Sequence, residues 1–275
     1  MSVSDTDKTL SSGVGIHPTA VVHPQAQLGI DVKIGPYSII GPGVQLGDRT
    51  RCQSHVHIDG VTTIGSECDI FPFASLGTIP QDLKYQAERS LLIIGDRNRI
   101  REHVTMNTGT SGGGNKTCVG SDGLFMVGCH VAHDCLVGDH VVMANNATLA
   151  GHVTVGDRAI VGGLAAVHQF VRIGESAMIG GGSIVIKDVI PYALVTGERA
   201  SLSGLNLVGM KRAGLSSADI KALRQAFTFV FQRNASITLS QAVSELEATG
   251  VLDCRVAKML GFIKSSSSRG LMGYQ

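Results

Sequence analysis

"VGDRAIVGGLAAVHQFVRIG" (residues 155–174) places Val155, Val161, Val167 and Ile173 six positions apart, with Ala159 and Ala165 each four positions after an aliphatic residue. An amphipathic helix would need apolar spacings of three and four, so this period excludes one. One large apolar and one small residue per six is instead the hexapeptide signature of a parallel β-helix. In that reading the aliphatic side chain fills the interior, the small residue fits where the coil is narrow, and the glycine that often follows the aliphatic residue makes the turn. Working outward, the frame extends back through Leu149, Val137, Val131 and Val119, with Met143 and Phe125 as apolar exceptions, and forward through Ile179 to Val185. A first block runs from Ile16 every sixth residue to Leu76, broken only by Cys52, and resumes at Ile94, Ile100 and Met106.

The segments 80–91 ("PQDLKYQAERSL") and 111–117 ("SGGGNKT") interrupt the rhythm. A solenoid carries insertions as loops on one face, often the binding face, so both are candidate substrate loops. After Pro191 the period ends. "SSADIKALRQAFTFVFQ" opens with Ser216 and has Asp219 three later, a capping-box pattern before helical apolar spacing. "TLSQAVSELEATG" repeats the pattern with Thr238 and Gln241 and stops at Gly250, and a third helix is expected around Asp253–Ile263. The expected organisation is an N-terminal extension (1–15), a β-helix (16–196) and a small α-helical domain (197–275) packed beside it.

Composition agrees with thin repeated layers: no Trp, 4% aromatic residues and 35 Gly in 275 residues. A net charge of +1 argues against nucleic acid as a partner. The charge is uneven: residues 197–275 carry 10 Lys/Arg against 5 Asp/Glu, a balance suited to an acidic partner. "MSVSDTDKTL" has no signal-peptide apolar run, no segment is long enough to span a bilayer, and a cytoplasmic location is expected. The six cysteines contain no CxxC pair, so neither a zinc ribbon nor a disulfide framework is indicated.

The frame also sorts the histidines. His133, His152 and His168 belong to units that begin at Val131, Leu149 and Val167, 18 residues apart. With three units per coil they stack near one edge. Within "HVAHDC" (130–135), Val131 and Cys135 point inward, leaving His130, His133 and Asp134 to face a ligand. Two chemistries fit. His130 and His133 could supply two zinc ligands, with a third from another subunit. Alternatively, acyl transfer to a sugar hydroxyl needs a base with a pKa near neutrality, a carboxylate to fix its tautomer and an N–H donor for the oxyanion. His133, Asp134 and Gly151, one coil on in "LAGHV", supply those parts.

"IHPTA" (16–20), "QDLKY" (81–85), "GDRNRIRE" (95–102), "GGGNKTCVG" (112–120), "HVAHDC", "ANNATLAGHV" (144–153), "AVHQF" (166–170) and "NLVGMKR" (206–212) resemble, in this order and over nearly the whole chain, the hexapeptide-repeat UDP-N-acetylglucosamine O-acyltransferases of lipid A biosynthesis. The resemblance implies a left-handed β-helix, about nine coils making a prism on the order of 40 Å long. It implies His133 as general base on the glucosamine 3-hydroxyl, Asp134 as its orienter and the Gly151 N–H as oxyanion donor, with no metal and no cofactor. The donor would be an (R)-3-hydroxyacyl chain on the phosphopantetheine arm of acyl carrier protein. Asp82, Lys84, His130, His152, His168 and Gln169 would contact sugar, phosphates or acyl group, and Asn206 and Arg212 the nucleotide. A homotrimer is implied, with each site in a cleft between neighbouring prisms.

Three positions depart from the family pattern: Val208 stands where an acidic residue is common, Ala213 where a second Arg is common, and Arg199 where relatives can have His. The position that sets acyl length in relatives matches Gly181, whose missing side chain would leave the groove open to a longer chain. Rival readings are the N-acyltransferase of the same pathway, a 3-amino sugar nucleotide as acceptor, and a non-catalytic structural solenoid. The first resembles a chain with a uridine-binding domain before its repeats, and the last would show a regular Thr ladder.

Overall fold

The computed structural model describes residues 15–232, 237–250, 253–265 and 267–274. Each hexapeptide unit forms a short strand that pairs in parallel with its counterpart in the next coil, giving three sheets of 11, 9 and 8 strands, here A, B and C. One coil passes through Leu124–Phe125 in A, His130–Val131 in B and Leu136–Val137 in C, and returns to A at Val142–Met143. Register follows the sequence period: Val131 pairs with Leu149 and Leu149 with Val167, 18 residues on each time. The coils wind left-handed.

The repeat aliphatics form one continuous buried core. Phe125 and Met143, the two exceptions, are cross-strand partners in sheet A and both fully buried, so the two large side chains fill neighbouring layers. The turns are made differently from the expectation. Apart from Gly77 (φ 78°), glycines after the repeat aliphatic residue keep ordinary φ, and the left-handed corner falls mostly on side-chain-bearing residues such as Asp31, Tyr37, Arg158 and Leu164, with φ of 56–59°. The glycines answer to spacing between coils: a Cβ on Gly47 would lie 2.5 Å from the Gly65 carbonyl carbon one coil on. Corner residues stack as ladders. Tyr37, His55, Phe73 and His103 form one ladder with ring centroids 5.1–5.2 Å apart, so His55 is held between two rings.

At the interruptions the register lengthens. Ile70 pairs with Ile100, 30 on, and Ile100 with Phe125, 25 on. The extra residues leave between Ser75–Thr78 in B and Leu91–Ile94 in C, and between Thr105–Asn107 in B and Lys116–Val119 in C. Both loops therefore emerge at the edge shared by sheets B and C.

Beyond the prism, Ala193–Thr196 pairs antiparallel with Ser201–Leu205. Residues 201–205, grouped above with the helices, thus add a last strand to sheet A. Among the described residues four helices follow: α1 (Leu207–Arg212), α2 (Ser217–Phe231), α3 (Leu239–Ala248) and α4 (Cys254–Lys264). Ser216 with Asp219 and Thr238 with Gln241 form the two expected capping boxes. The short α1 was not foreseen. After α4 the chain returns to the prism, where Leu271 bridges to Asp188 and Tyr274 to Leu202.

Candidate active site

The B–C edge carries the His133 corner. Asp134 takes the left-handed conformation (φ 59°), which Asp tolerates better than most residues, and its N–H donates to Thr117 Oγ1 at 2.8 Å. Its side chain is 1% exposed, so it does not face a ligand as expected from sequence. The carboxylate accepts from the Thr110 N–H (2.9 Å), from Thr110 Oγ1 (2.6 Å) and from His133 Nδ1 (2.8 Å). The 111–117 insertion makes this possible. A Cβ on Gly113 would stand 2.0 Å from the Asp134 carboxyl carbon, so only glycine lets the loop close over it. That loop is tied to the other insertion, for Glu88 Oε1 accepts from the Ser111 N–H at 2.9 Å. Backbone donors of Ser111, of Glu88 itself and of Gln86 hold the Glu88 carboxyl well below the usual range. Thr110, Gly113, Thr117 and Glu88 were not singled out by the sequence, whose one signal was the glycine run.

With Nδ1 donating to the carboxylate, His133 keeps Nε2 as an acceptor, a tautomer fixed by its partner. That side of the ring faces Gly151, where an added Cβ would come 2.6 Å from Nε2. The Gly151 carbonyl accepts from the Phe170 N–H at 3.2 Å, while its own N–H donates to no acceptor among the described residues. His152 meets the His133 ring edge-on at 5.0 Å, and its Nδ1 lies 3.8 Å from Asp134 Oδ2. Its other neighbour is Phe170, stacked at 4.4 Å and 6°, so Phe170, not His168, continues the histidine stack. Burial lowers the His152 pKa, opposed by Asp134 and aided by His133. His130, on sheet B beside this edge, receives or donates one hydrogen bond at Thr105 Oγ1 (2.7 Å), and burial followed by the nearby His133 lowers its pKa. Both imidazoles are therefore biased toward the neutral form.

The first insertion reaches the same edge. Asp82 and Lys84 act electrostatically on His152 in opposite senses, and Asp82 Oδ1 accepts from the Lys84 N–H at 3.0 Å. His168 and Gln169 are exposed at the corner one coil beyond His152. His133, Asp134 and His152 place potential metal-ligating atoms within 4.8 Å of one another. Asp134 Oδ2 is already shared by Thr110 and His133, which leaves that carboxylate poorly disposed to a cation. His130, the other half of the zinc pair considered above, is turned to Thr105.

Asn206 and Arg212 lie elsewhere in the same chain. They border a cavity of about 500 Å³ with Val208, Ala213, Arg158 and Ile160, against sheet A strands that include Met178 and Leu194. Sheet A is the face opposite the B–C edge. Asn206 also caps α1, with Oδ1 accepting from the Gly209 N–H at 2.9 Å and Nδ2 donating to the buried Ser176 carbonyl at 3.0 Å. Gly181 is on the third edge, between Met178–Ile179 of sheet A and Ile184–Val185 of sheet B. The turn there is made by Gly182 (φ 68°), leaving Gly181 with ordinary backbone and its nearest Cβ contact at 3.2 Å.

Four findings from known proteins bear on this arrangement. The family model described as UDP N-acetylglucosamine O-acyltransferase, domain 2, matches residues 188–272. A Caulobacter vibrioides protein named acyl-(acyl-carrier-protein)-UDP-N-acetylglucosamine O-acyltransferase is 51% identical over 258 residues, 94% of this chain and 97% of that one. A Thermodesulfovibrio yellowstonii protein of the same name is 45% identical over 256 residues, covering 93% and 98%. The solved UDP-N-acetylglucosamine acyltransferase of Campylobacter jejuni superimposes with a TM-score of 0.89 at 39% identity, covering 94% of this chain and all of its own.

Proposed function

Because this chain belongs to the family of acyl-carrier-protein-dependent UDP-N-acetylglucosamine O-acyltransferases, we propose that the B–C edge is where it transfers an acyl chain to the sugar nucleotide, the first step of lipid A synthesis. The observation that carries the mechanism is His133, bonded at 2.8 Å to a buried carboxylate and facing a glycine whose N–H is uncommitted among the described residues.

Asp134 holds Nδ1–H, so Nε2 accepts the proton of the glucosamine 3-hydroxyl as that oxygen attacks the thioester carbonyl of the (R)-3-hydroxyacyl donor. The carbonyl oxygen becomes an oxyanion, for which the Gly151 N–H is the available donor. Collapse breaks the carbon–sulfur bond and the phosphopantetheine thiolate takes the proton from His133. The products are the 3-O-acyl sugar nucleotide and the free carrier thiol, with no acyl-enzyme. Cys135, beside this corner, is a poor alternative nucleophile because burial pushes its thiol up to about 12.

His133 and the Asn206–Arg212 cavity sit on opposite sides of one prism, which supports a homotrimer in which the nucleotide contacts come from a neighbouring copy. Val208 and Ala213 leave that cavity mostly apolar, with Arg158 and Arg212 as its cations. Lys211, Lys221 and Arg224 border a groove of about 670 Å³ along α2, a surface suited to the acidic carrier protein. No helix among the described residues is long and apolar enough to cross a membrane, and the soluble substrates suit a cytoplasmic location. Gly181 leaves room for a longer acyl chain at the A–B edge.

The test is incubation of the purified protein with UDP-N-acetylglucosamine, its 3-amino analogue and a panel of hydroxyacyl carrier proteins, with products identified by mass. A 3-O-acylated sugar nucleotide, formed best with the longer chains, is expected. Absence of any acylated sugar nucleotide would overturn the reading.

A further inference from the structure

Phe170 covers one face of His152, and the corner that carries Phe170 is held from outside the prism. Arg269, in the segment that follows α4, donates through Nε to the Gln169 carbonyl at 2.7 Å, and its guanidinium carbon lies 5.9 Å from the Phe170 ring centre. From these contacts we infer that Arg269 is a positioning residue for the active site, acting through the Gln169–Phe170 corner on His152. The inference rests on the function proposed above.

The clasp is anchored at both ends. Asp188, whose side chain is fully buried, accepts from Arg172 Nε at 2.6 Å and from the Arg172 N–H at 2.9 Å, just past the corner. Its own N–H donates to the Gly270 carbonyl at 2.9 Å, and its carbonyl accepts from the Met272 N–H at 2.8 Å, on either side of Leu271. Arg172 Nη1 also reaches Ser265 Oγ at the end of α4. These bonds fasten the returning segment without Arg269. The Arg269 side chain is directed instead at the corner bearing His168 and Gln169, both expected to touch substrate. A line of contacts then runs from Arg269 to Phe170, to His152 and to the Asp134–His133 pair. Phe170 also holds Gly151, through its N–H, so movement of the corner moves the oxyanion donor as well.

Loss of a charge-assisted hydrogen bond to the corner in Arg269→Ala is expected to lower kcat/KM by about tenfold, with Arg269→Lys recovering most of it because an ammonium can still donate to the Gln169 carbonyl. Burial beneath Phe170 helps keep His152 neutral, so loosening the corner moves the acid limb of the pH–rate profile to higher pH. Phe170→Leu and the double variant complete a cycle: if Arg269 acts through Phe170, the double loses no more than Phe170→Leu alone. NMR titration of the His152 ring in wild type and Arg269→Ala reads the same displacement without turnover. It therefore separates failure of this inference from failure of the proposed activity. An unchanged His152 titration overturns the inference, as does a loss that adds in full to that of Phe170→Leu or that follows a fall in thermal midpoint.

Discussion

The Asp134 carboxylate accepts from three donors, one of them His133, so under the proposed mechanism Thr110, which supplies the other two, belongs to the catalytic argument. His133→Ala should abolish measurable turnover in a protein that still folds, and Asp134→Asn should lower kcat on the order of a thousandfold by permitting the wrong tautomer. Thr110→Val keeps shape but removes the 2.6 Å bond from Oγ1, and a fall of about tenfold in kcat is expected, with Thr110→Ser near wild type. Steady-state rates of purified variants check all three. A pH effect follows from His130, whose pKa burial depresses from 6.5. The folded chain then binds fewer protons than the unfolded one as pH falls below 6.5, so acidification costs stability. The thermal midpoint should drop between pH 7.5 and 5.5, and drop less in His130→Asn. That His133, Asp134 and Gly151 lie together was legible from the repeat and from family motifs. Thr110 and Gly113 were not, because they enter the site from a loop whose path over Asp134 has no counterpart in any local pattern.

At the scale of the element, period six was readable because every inward position faces the same narrow interior, and Val131, Leu149 and Val167 repeat one environment. The corner was not readable, since the left-handed position takes Asp, Tyr, Arg or Leu alike, most of them at the surface, while Asp134 and Tyr192 are buried. Two substitutions separate the roles. Gly47→Ala forces a Cβ into the next coil and should cost about 1–3 kcal/mol by overpacking. At His140, which is exposed with φ 56°, replacement by Gly relieves the left-handed penalty while adding unfolded-state freedom, and these roughly cancel. Denaturant midpoints of the two variants should therefore differ in that order; equal losses would return the turn to the glycines. The helix α1 escaped notice for a related reason: six residues are too few for a periodic signal, and its cap, Asn206, read as a nucleotide ligand.

Across the whole molecule the arrangement of expected ligands is the strongest argument for assembly. Within one prism His133 lies on the B–C edge, while Arg212 and the capped Asn206 lie against sheet A on the other side. No side chain spans that width, so a nucleotide that touches both must sit between two copies. A single variant cannot test this, because His133→Ala and Arg212→Ala would each weaken turnover wherever the site is built. Mixed oligomers can. If each site takes His133 from one subunit and Arg212 from its neighbour, co-expressing the two variants assembles some interfaces with both residues intact, about a quarter of sites for random mixing in a cyclic assembly. Activity at low UDP-N-acetylglucosamine should then rise well above that of either variant alone and approach about a quarter of wild type. If one chain supplied both residues, every site in the mixture would lack one of them and activity would stay at the level of the separate variants. That second outcome would require the prism to bind nucleotide on sheet A independently of the His133 edge, and would remove the cleft between copies from the mechanism.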